Sequence, residues 1–258
     1  MLITLNVTDR IWAVPSVLGQ AEALRALHGR LRERLRPGDC LVYLGNYMGH
    51  GPAVAETMDE LLGFRSDLGA GSGVQVVHLR GAQEEMWVKL LEIQWAMRPI
   101  ETFQWMMQHG VEATLRDYGG DPAEAPAKFR SGVVVTTRWT TELRENFQGH
   151  PGHYEFLHSL ASAAPTSNGK LLFVNAGIDP NKPLEKQNDA FWWNAAGFEG
   201  MAAPFEDFAF VIRGFDADHK GFSTGPHGIN ADAASSAAGP LQATCFAPDG
   251  AVLESLSA

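Results

Sequence analysis

The stretch from residue 41 to residue 52, LVYLGNYMGHGP, constrains the fold more than any other part of the sequence. Its first four residues are apolar and predict a buried strand that ends in a glycine turn. Asn46 and His50 follow before a second turn. In α/β proteins, polar side chains that follow a strand lie over the carboxyl end of the sheet, where ligands bind. The stretch therefore predicts an α/β fold with a site at this turn.

Strand and helix patterns along the rest of the chain support the same fold class. We predict strands over residues 10–15, 41–44, 74–79 and 171–177, helices over about 20–35 and 53–64, and a closing hairpin over 241–253. Trp and Met residues from about residue 85 onward predict a helical region. The segment 131–142, which contains GVVVTTRWTT, predicts a β-rich insertion because β-branched residues dominate it.

Four blocks carry a resemblance to a known family. GNYMGHGP at 45–52 parallels the motif G-D-x-x-D-R-G-P, and QWMMQHGVEATLRDYG at 104–119 parallels W-x-x-N-G-G-x-x-T-L-x-S-Y-G. LLFVNAGIDPNKPLEKQ at 171–187 and GINADA at 228–233 parallel F-V-H-A-G-I-x-P-x-x-P-L-x-x-Q and I-N-x-D-T-G-A. In this order the blocks resemble the calcineurin-like metallophosphoesterase superfamily, closest to its bacterial Ser/Thr protein phosphatase and diadenosine tetraphosphatase branch.

The resemblance implies both an architecture and a chemistry. The fold would be a central β-sandwich of mixed sheets flanked by α-helices, formed by one domain over residues 1–258 with a helical cap region at about 85–160. Members of the family hold two divalent metals such as Mn, Fe or Zn, whose bridging hydroxide attacks phosphorus.

The family's metal ligands are replaced in this sequence. Neutral side chains stand at the corresponding positions: Ser16, Leu18, Asn46, Ala82, Asn175 and Phe215. Gln83 stands where the family has the histidine that protonates the leaving group. Neutral oxygens do not compensate for the dehydration of a catalytic dication. We therefore predict no catalytic residues, no metal and no cofactor.

The same positions predict a vestigial ligand-binding cleft. Its predicted members are Ser16, Asn46, His50, Arg80, Gln83, Glu84, Asn175, Arg213 and His227. Arg80 and Glu84 form either a surviving phosphate clamp or an ion pair that holds the turn. If Arg80, Arg213 and His227 face the cleft, they make it positive enough for a phosphate-bearing or carboxylate ligand. His150 and His153 have a spacing that a metal can use, but no third ligand is implied.

Charge and composition exclude some partners. The formal net charge of -10 argues against a nucleic-acid binder and against binding to an anionic membrane surface. Because no apolar run is long enough to span a membrane and the first residues lack a basic leader, we expect a cytoplasmic protein. Cys40 and Cys245 lie in or beside apolar runs, which predicts two reduced core thiols.

Three functions follow from these observations. The first is a degenerate phosphoesterase, or pseudo-phosphatase, that binds a phosphate-bearing small molecule or a protein partner without catalysis. The second is an active phosphoesterase with an atypical site, acting on a phosphoprotein, nucleotide or dinucleoside polyphosphate. The third is a subunit of a homo-oligomer, with an interface formed by the Trp-rich region 87–107 and the aromatic residues 191–193.

Overall fold

The fold is given by a computed structural model that describes residues 1–7, 9–233 and 239–258. The strands are β1 Ile11–Val14, β2 Cys40–Tyr43, β3 Gln75–His78, β4 Ala164–Pro165, β5 Leu171–Val174, β6 Phe210–Arg213, β7 Ser223–Thr224, β8 Gly228–Asn230, β9 Gln242–Phe246 and β10 Val252–Ser257. The helices are α1 Ala21–Arg34, α2 Val54–Leu68, α3 Ala82–Leu91, α4 Pro99–Met106, α5 Glu112–Asp117, α6 Ala125–Arg130, α7 Val133–Gln148, α8 His153–Ser159, α9 Ala190–Trp193 and α10 Ala195–Glu199.

The strands form two mixed sheets. The first has the order β10-β9-β1-β2-β3, in which β1, β2 and β3 are parallel and β9 and β10 are antiparallel. The second has the order β4-β5-β6-β8-β7, with β5, β6 and β8 parallel. Helices α1 and α2 connect the parallel strands of the first sheet, and α9 and α10 lie between β5 and β6, whereas the connection from β6 to β8 contains only β7. The predicted α/β class with mixed sheets is confirmed.

Alternate residues of each strand face different layers. Ile11 and Ala13 of β1 pack with Phe173 of β5 in a core between the two sheets. Trp12 and Val14 face the opposite side and pack against the helices of the amino-terminal half. This two-residue period is the expected consequence of strand geometry. The molecule is therefore a β-sandwich with a helical layer on the outer face of the first sheet and shorter helices against the second.

Residues 82–159 contain helices as their only regular elements in the structure, which covers this range completely. The prediction of a β-rich insertion at 131–142 is wrong, because α7 occupies it. Tertiary packing overrides the β-propensity of the valines and threonines there. The buried residues of α7 have helical spacing and form one stripe: Thr136, Trp139, Thr140, Leu143 and Phe147.

The remaining predicted elements are confirmed to within a few residues. The largest differences are at α2 and β10, which continue four residues beyond their predicted ends at residues 64 and 253. Cys40 and Cys245 are buried free thiols, and burial raises their pKa to about 11 and about 12. Within the described chain, no helix combines the length and apolar character needed to cross a membrane.

Candidate functional site

Loops from both sheets meet at the carboxyl ends of their parallel strands. Asn46, after β2, links three of these loops through its side chain and backbone. Its Nδ2 donates to Ser16 Oγ at 3.2 Å, and its Oδ1 accepts the Gln83 N–H at 3.0 Å. Ser16 Oγ in turn donates to the Gly214 carbonyl at 3.1 Å, and Asn175 Nδ2 donates to the Leu44 carbonyl at 2.7 Å. The structure thus brings Ser16, Asn46, Gln83 and Asn175 together at these loops, and of the four, Asn46 and Gln83 line the cleft described below.

Glu84 holds the loop after β2 in place from beneath. Its Oε2 accepts the N–H groups of Asn46 at 2.9 Å and Gly81 at 2.8 Å, and its Oε1 accepts those of Tyr47 at 2.7 Å and Met48 at 3.2 Å. The side chain is fully buried. Burial raises the pKa of this carboxyl, and the four N–H groups oppose that rise. The contacts of Glu84 therefore fix the loop, and its side chain does not line the cleft described next.

A cleft of about 490 Å³ opens above these loops, between the helical region and the second sheet. Its walls are rich in aromatic and imidazole side chains. None of the described residues that line it is Asp, Glu, Lys or Arg. The lining residues are Leu18, Asn46, His50, Ala82, Gln83, Met86, Trp105, Gln108, His109, Ala176, Trp192, Trp193, Ala195, Phe215, Ala217 and His219.

The backbone around this cleft is strained. Within the described chain, six non-glycine residues have positive φ, and four of them line the cleft. These four are Leu18, Asn46, His50 and His219, with φ between 49° and 55°. Left-handed backbone at a residue with a Cβ persists only when its surroundings fix it, and it gathers at functional sites. The strain marks this cleft as the candidate site.

Three histidines surround the opening. The ring of His50 packs over Gly110, where a Cβ atom would lie 2.4 Å from the imidazole, and the His50 N–H donates to the Gly110 carbonyl at 3.0 Å. His109 donates from Nδ1 to the Trp105 carbonyl at 2.7 Å. Partial burial, together with the neighbouring His219 and His109, lowers the pKa of His50, so this imidazole is neutral at pH 7.

The predicted positive pocket is not assembled. Arg80 pairs with Glu85 at 3.1 Å and donates to the Leu157 carbonyl, so the alternative of an Arg80–Glu84 ion pair is wrong. Arg213 is buried, bonds Asp216 at 3.1 Å and lies over the Phe198 ring at 4.4 Å. His227 approaches the Ala209 carbonyl at 3.4 Å. The described lining of the cleft includes none of Arg80, Arg213 and His227, because each has its contacts elsewhere.

The donor groups present do not fit the pair of divalent metals that the resemblance implies. Ser16, Asn46 and Asn175 offer neutral oxygens, and the first two already take part in hydrogen bonds within the protein. Gly81 also packs against them, since a Cβ there would lie 2.3 Å from Asn46 Oδ1. Leu18, Ala82 and Phe215 provide no ligand atom. Hard dications require several anionic or imidazole ligands, which this group of residues lacks.

Two other groups resemble metal sites in composition. Glu199, Asp216 and Asp218 have carboxylate oxygens within 4.8 Å of one another. However, Arg213 pairs with Asp216, and Lys220 pairs with Asp218 at 2.8 Å, so these charges are already balanced.

The histidine pair at 150 and 153 is also engaged. His153 bonds Tyr118 Oη through Nδ1 at 2.9 Å and Asp59 Oδ1 through Nε2 at 3.0 Å. Both of its ring nitrogens are therefore used, and the pair does not offer a metal site.

Comparison with known proteins decides the fold family. No protein-family model and no curated protein sequence matches this chain. A solved structure of a putative diadenosine tetraphosphatase matches it with a TM-score of 0.58 at 18% identity, covering 99% of this chain and 97% of that one. The chain has the calcineurin-like metallophosphoesterase fold.

Two further solved structures are similar over most of this chain. One is a cold-active protein-tyrosine phosphatase of a psychrophilic Shewanella species, with a TM-score of 0.56 at 13% identity and coverage of 98% and 81%. The other is a protein serine/threonine phosphatase from Saccharomyces cerevisiae with similarity to human phosphatase PP5. Its TM-score is 0.51 at 11% identity, with coverage of 93% and 73%.

Sequence reasoning missed the aromatic wall of the cleft. Trp105 and Trp193 come from opposite sides of the opening, with ring centroids 6.0 Å apart, and Trp105 stacks on His109 at 4.3 Å. The Trp-rich region predicts core packing, a packed cap over a cleft or an interface, but residue type alone does not predict which of its side chains line the cleft. Trp87 is fully buried, and Trp95 is 76% exposed outside the cleft.

Proposed function

We propose that this chain is a noncatalytic ligand-binding protein, a degenerate phosphoesterase that uses the old catalytic cleft without a dimetal centre. The observation that carries the proposal is the state of the former ligand positions. Asn46 and Ser16 bond each other and the surrounding backbone, and Leu18 and Phe215 are apolar. These contacts stabilise the loops, and the former ligand positions supply no anionic or imidazole group to hold a cation.

The absence of charge from the described lining also argues against hydrolysis of a phosphoester. Phosphoryl transfer depends on cations that neutralise the phosphoryl oxygens. His50 is neutral at pH 7, and Arg213, a cation that the sequence suggested for this role, is paired with Asp216. A phosphoester in this cleft would lose its hydration without gaining a positive partner.

The metal content of the purified protein tests this proposal. Protein incubated with excess Mn²⁺ and then desalted should contain far less than one metal per chain, as should untreated protein. Hydrolysis of a generic phosphomonoester should stay at background level and be insensitive to a chelator. His50→Ala should behave like His158→Ala, a matched change at an exposed histidine outside the cleft. One or two tightly bound metals with chelator-sensitive hydrolysis would establish an active phosphoesterase instead.

The interpretation as an oligomer subunit has its own observation. Trp95 and Met97 are 76% and 99% exposed, and both belong to the helical region. Large exposed apolar side chains are typical of protein–protein contacts. In contrast, Trp105 and Trp193 line the cleft, so they favour ligand binding over an interface between subunits.

A further inference from the structure

The cleft combines aromatic surface with neutral polar groups. Trp105, Trp192, Trp193 and Phe215 contribute rings to its walls, and Gln108 and the three histidines contribute hydrogen-bonding groups. A volume of about 490 Å³ lies within the range of about 300–1,000 Å³ that is usual for small-molecule sites. Aromatic side chains bind other planar rings by stacking, and this stacking depends little on which planar ring is bound.

Two buried polar atoms of residues that line the cleft have no hydrogen-bond partner. Gln83 Oε1 is an acceptor on a side chain that is 5% exposed, and Trp192 Nε1 is a donor with almost no exposed surface. Buried polar groups are normally paired, so each unpaired one requires an explanation. Both atoms are hidden from the cleft, and Gln83 Oε1 packs against Gly49, so the accessible amide and imidazole groups of the lining are the ones that can bond a ligand.

We propose that the cleft binds an uncharged, planar heteroaromatic molecule with hydrogen-bonding edges, of the chemistry of a nucleobase or nucleoside without its phosphate. This inference rests on the proposed function, because it assigns a ligand class to the same metal-free cleft. The rings stack on the tryptophans, and the edge bonds the amide and imidazole groups of the walls.

Charge separates this ligand class from the phosphate-bearing one that the sequence suggests. The chain has a formal net charge of -10, and the described lining of the cleft has no Lys or Arg to offset it. The net negative charge of the chain therefore repels an anion as it approaches, and in the cleft the anion finds no Lys or Arg to pair with. A neutral heterocycle meets neither penalty, so an added phosphate should weaken binding.

Isothermal titration calorimetry with matched pairs tests the assignment. The probes are adenosine, guanosine and uridine, each beside its 5′-monophosphate, with inorganic phosphate as a further probe. At least one nucleoside should bind, and more tightly than its monophosphate, while inorganic phosphate should not bind. Trp105→Ala should weaken that nucleoside by about tenfold or more, since stacking on an aromatic side chain is lost.

The chain supplies a matched control for this substitution. Trp95→Ala removes an exposed tryptophan outside the cleft and should leave the affinity unchanged. Because Trp105 is 42% exposed, its replacement should not unfold the protein, which circular dichroism checks.

Three results would overturn the ligand assignment: no binding of any nucleoside, tighter binding of the monophosphate, or equal affinity of the two tryptophan variants. These results leave the metal measurement unaffected. Tight metal binding with chelator-sensitive hydrolysis instead overturns the proposed function itself, so the two failures are distinguishable.

Discussion

Replacement of Glu84 by glutamine tests how the candidate site is held together. Four backbone N–H groups converge on the Glu84 carboxylate, two on each oxygen. An amide keeps one acceptor oxygen and presents an NH₂ group where the second oxygen was. Two of the four N–H groups then face a donor in a buried place where water does not reach them.

The size of the effect follows from these contacts. Hydrogen bonds to a charged group contribute about 1.5–3 kcal/mol each to stability, so the loss of two predicts about 3–6 kcal/mol. Small domains are stable by only about 5–15 kcal/mol, which makes this a large fraction of the total. Urea unfolding followed by tryptophan fluorescence and circular dichroism measures the change.

The neighbouring residue provides a matched control. Glu85→Gln makes the same chemical change one position further on, where Glu85 pairs with Arg80 and Lys89 nearer the surface. We expect this variant to lose less than about 1 kcal/mol, as surface ion pairs do.

A Glu84→Gln variant as stable as Glu85→Gln would refute the reasoning. Such a result would mean that Glu84 is protonated in the folded protein, because a neutral carboxylic acid resembles the amide. It would show that burial outweighs the four N–H groups at this carboxyl.

Two other predictions concern pH and packing. Burial lowers the pKa of His78 to about 3 and that of His28 to about 4, below the ordinary value of 6.5. At pH values between each lowered pKa and 6.5, the unfolded chain therefore binds more protons than the folded one. Stability is full above about pH 6.5 and falls as the pH decreases, by about 1.4 kcal/mol per pH unit for each histidine. Urea unfolding at a series of pH values gives the slope of the unfolding free energy against pH, which should be smaller by that amount in His78→Phe. Equal slopes in the two proteins would contradict the lowered pKa of His78. Separately, Gly81→Ala places a Cβ 2.3 Å from Asn46 Oδ1 and should cost about 1–3 kcal/mol of unfolding free energy. Gly29→Ala meets open space within α1 and should stabilise the protein by about 0.5–1 kcal/mol in the same assay; equal effects would refute the packing argument.

Local patterns in the sequence were sufficient for most strands but not for α7. The predicted strands are short apolar runs bounded by turn residues, and their length and these flanking residues favour a strand over a helix. In α7 the run of valines and threonines favoured a strand by residue type. The helical spacing of Trp139, Leu143 and Phe147 was the correct signal, because burial of that stripe outweighs the small propensity differences.

The parts of the candidate site that directly follow predicted strands could be predicted from the sequence. The parts that depend on contacts between side chains far apart in the chain could not. The loops that carry Ser16, Asn46 and Gln83 follow predicted strands, so their meeting was foreseeable. Whether Arg213 faces the cleft depends on Asp216 and Phe198, and side-chain pairing of this kind is not encoded in spacing. The wall of tryptophans joins residues 105 and 193, which only the tertiary fold brings together.

The packing of the His50 ring against Gly110 has a consequence for which ligands the cleft can admit. The histidine ring fills the space where any other residue at position 110 would carry its side chain, and Gln83 Nε2 donates to the adjacent His109 carbonyl at 2.7 Å. The loop after β2, helix α3 and the kinked turn Met107–Val111 are therefore interlocked as a single rigid frame. Widening the cleft at this side would break the hydrogen bonds to the Gly110 and His109 carbonyls, so we expect the cleft to discriminate against bulky molecules by shape.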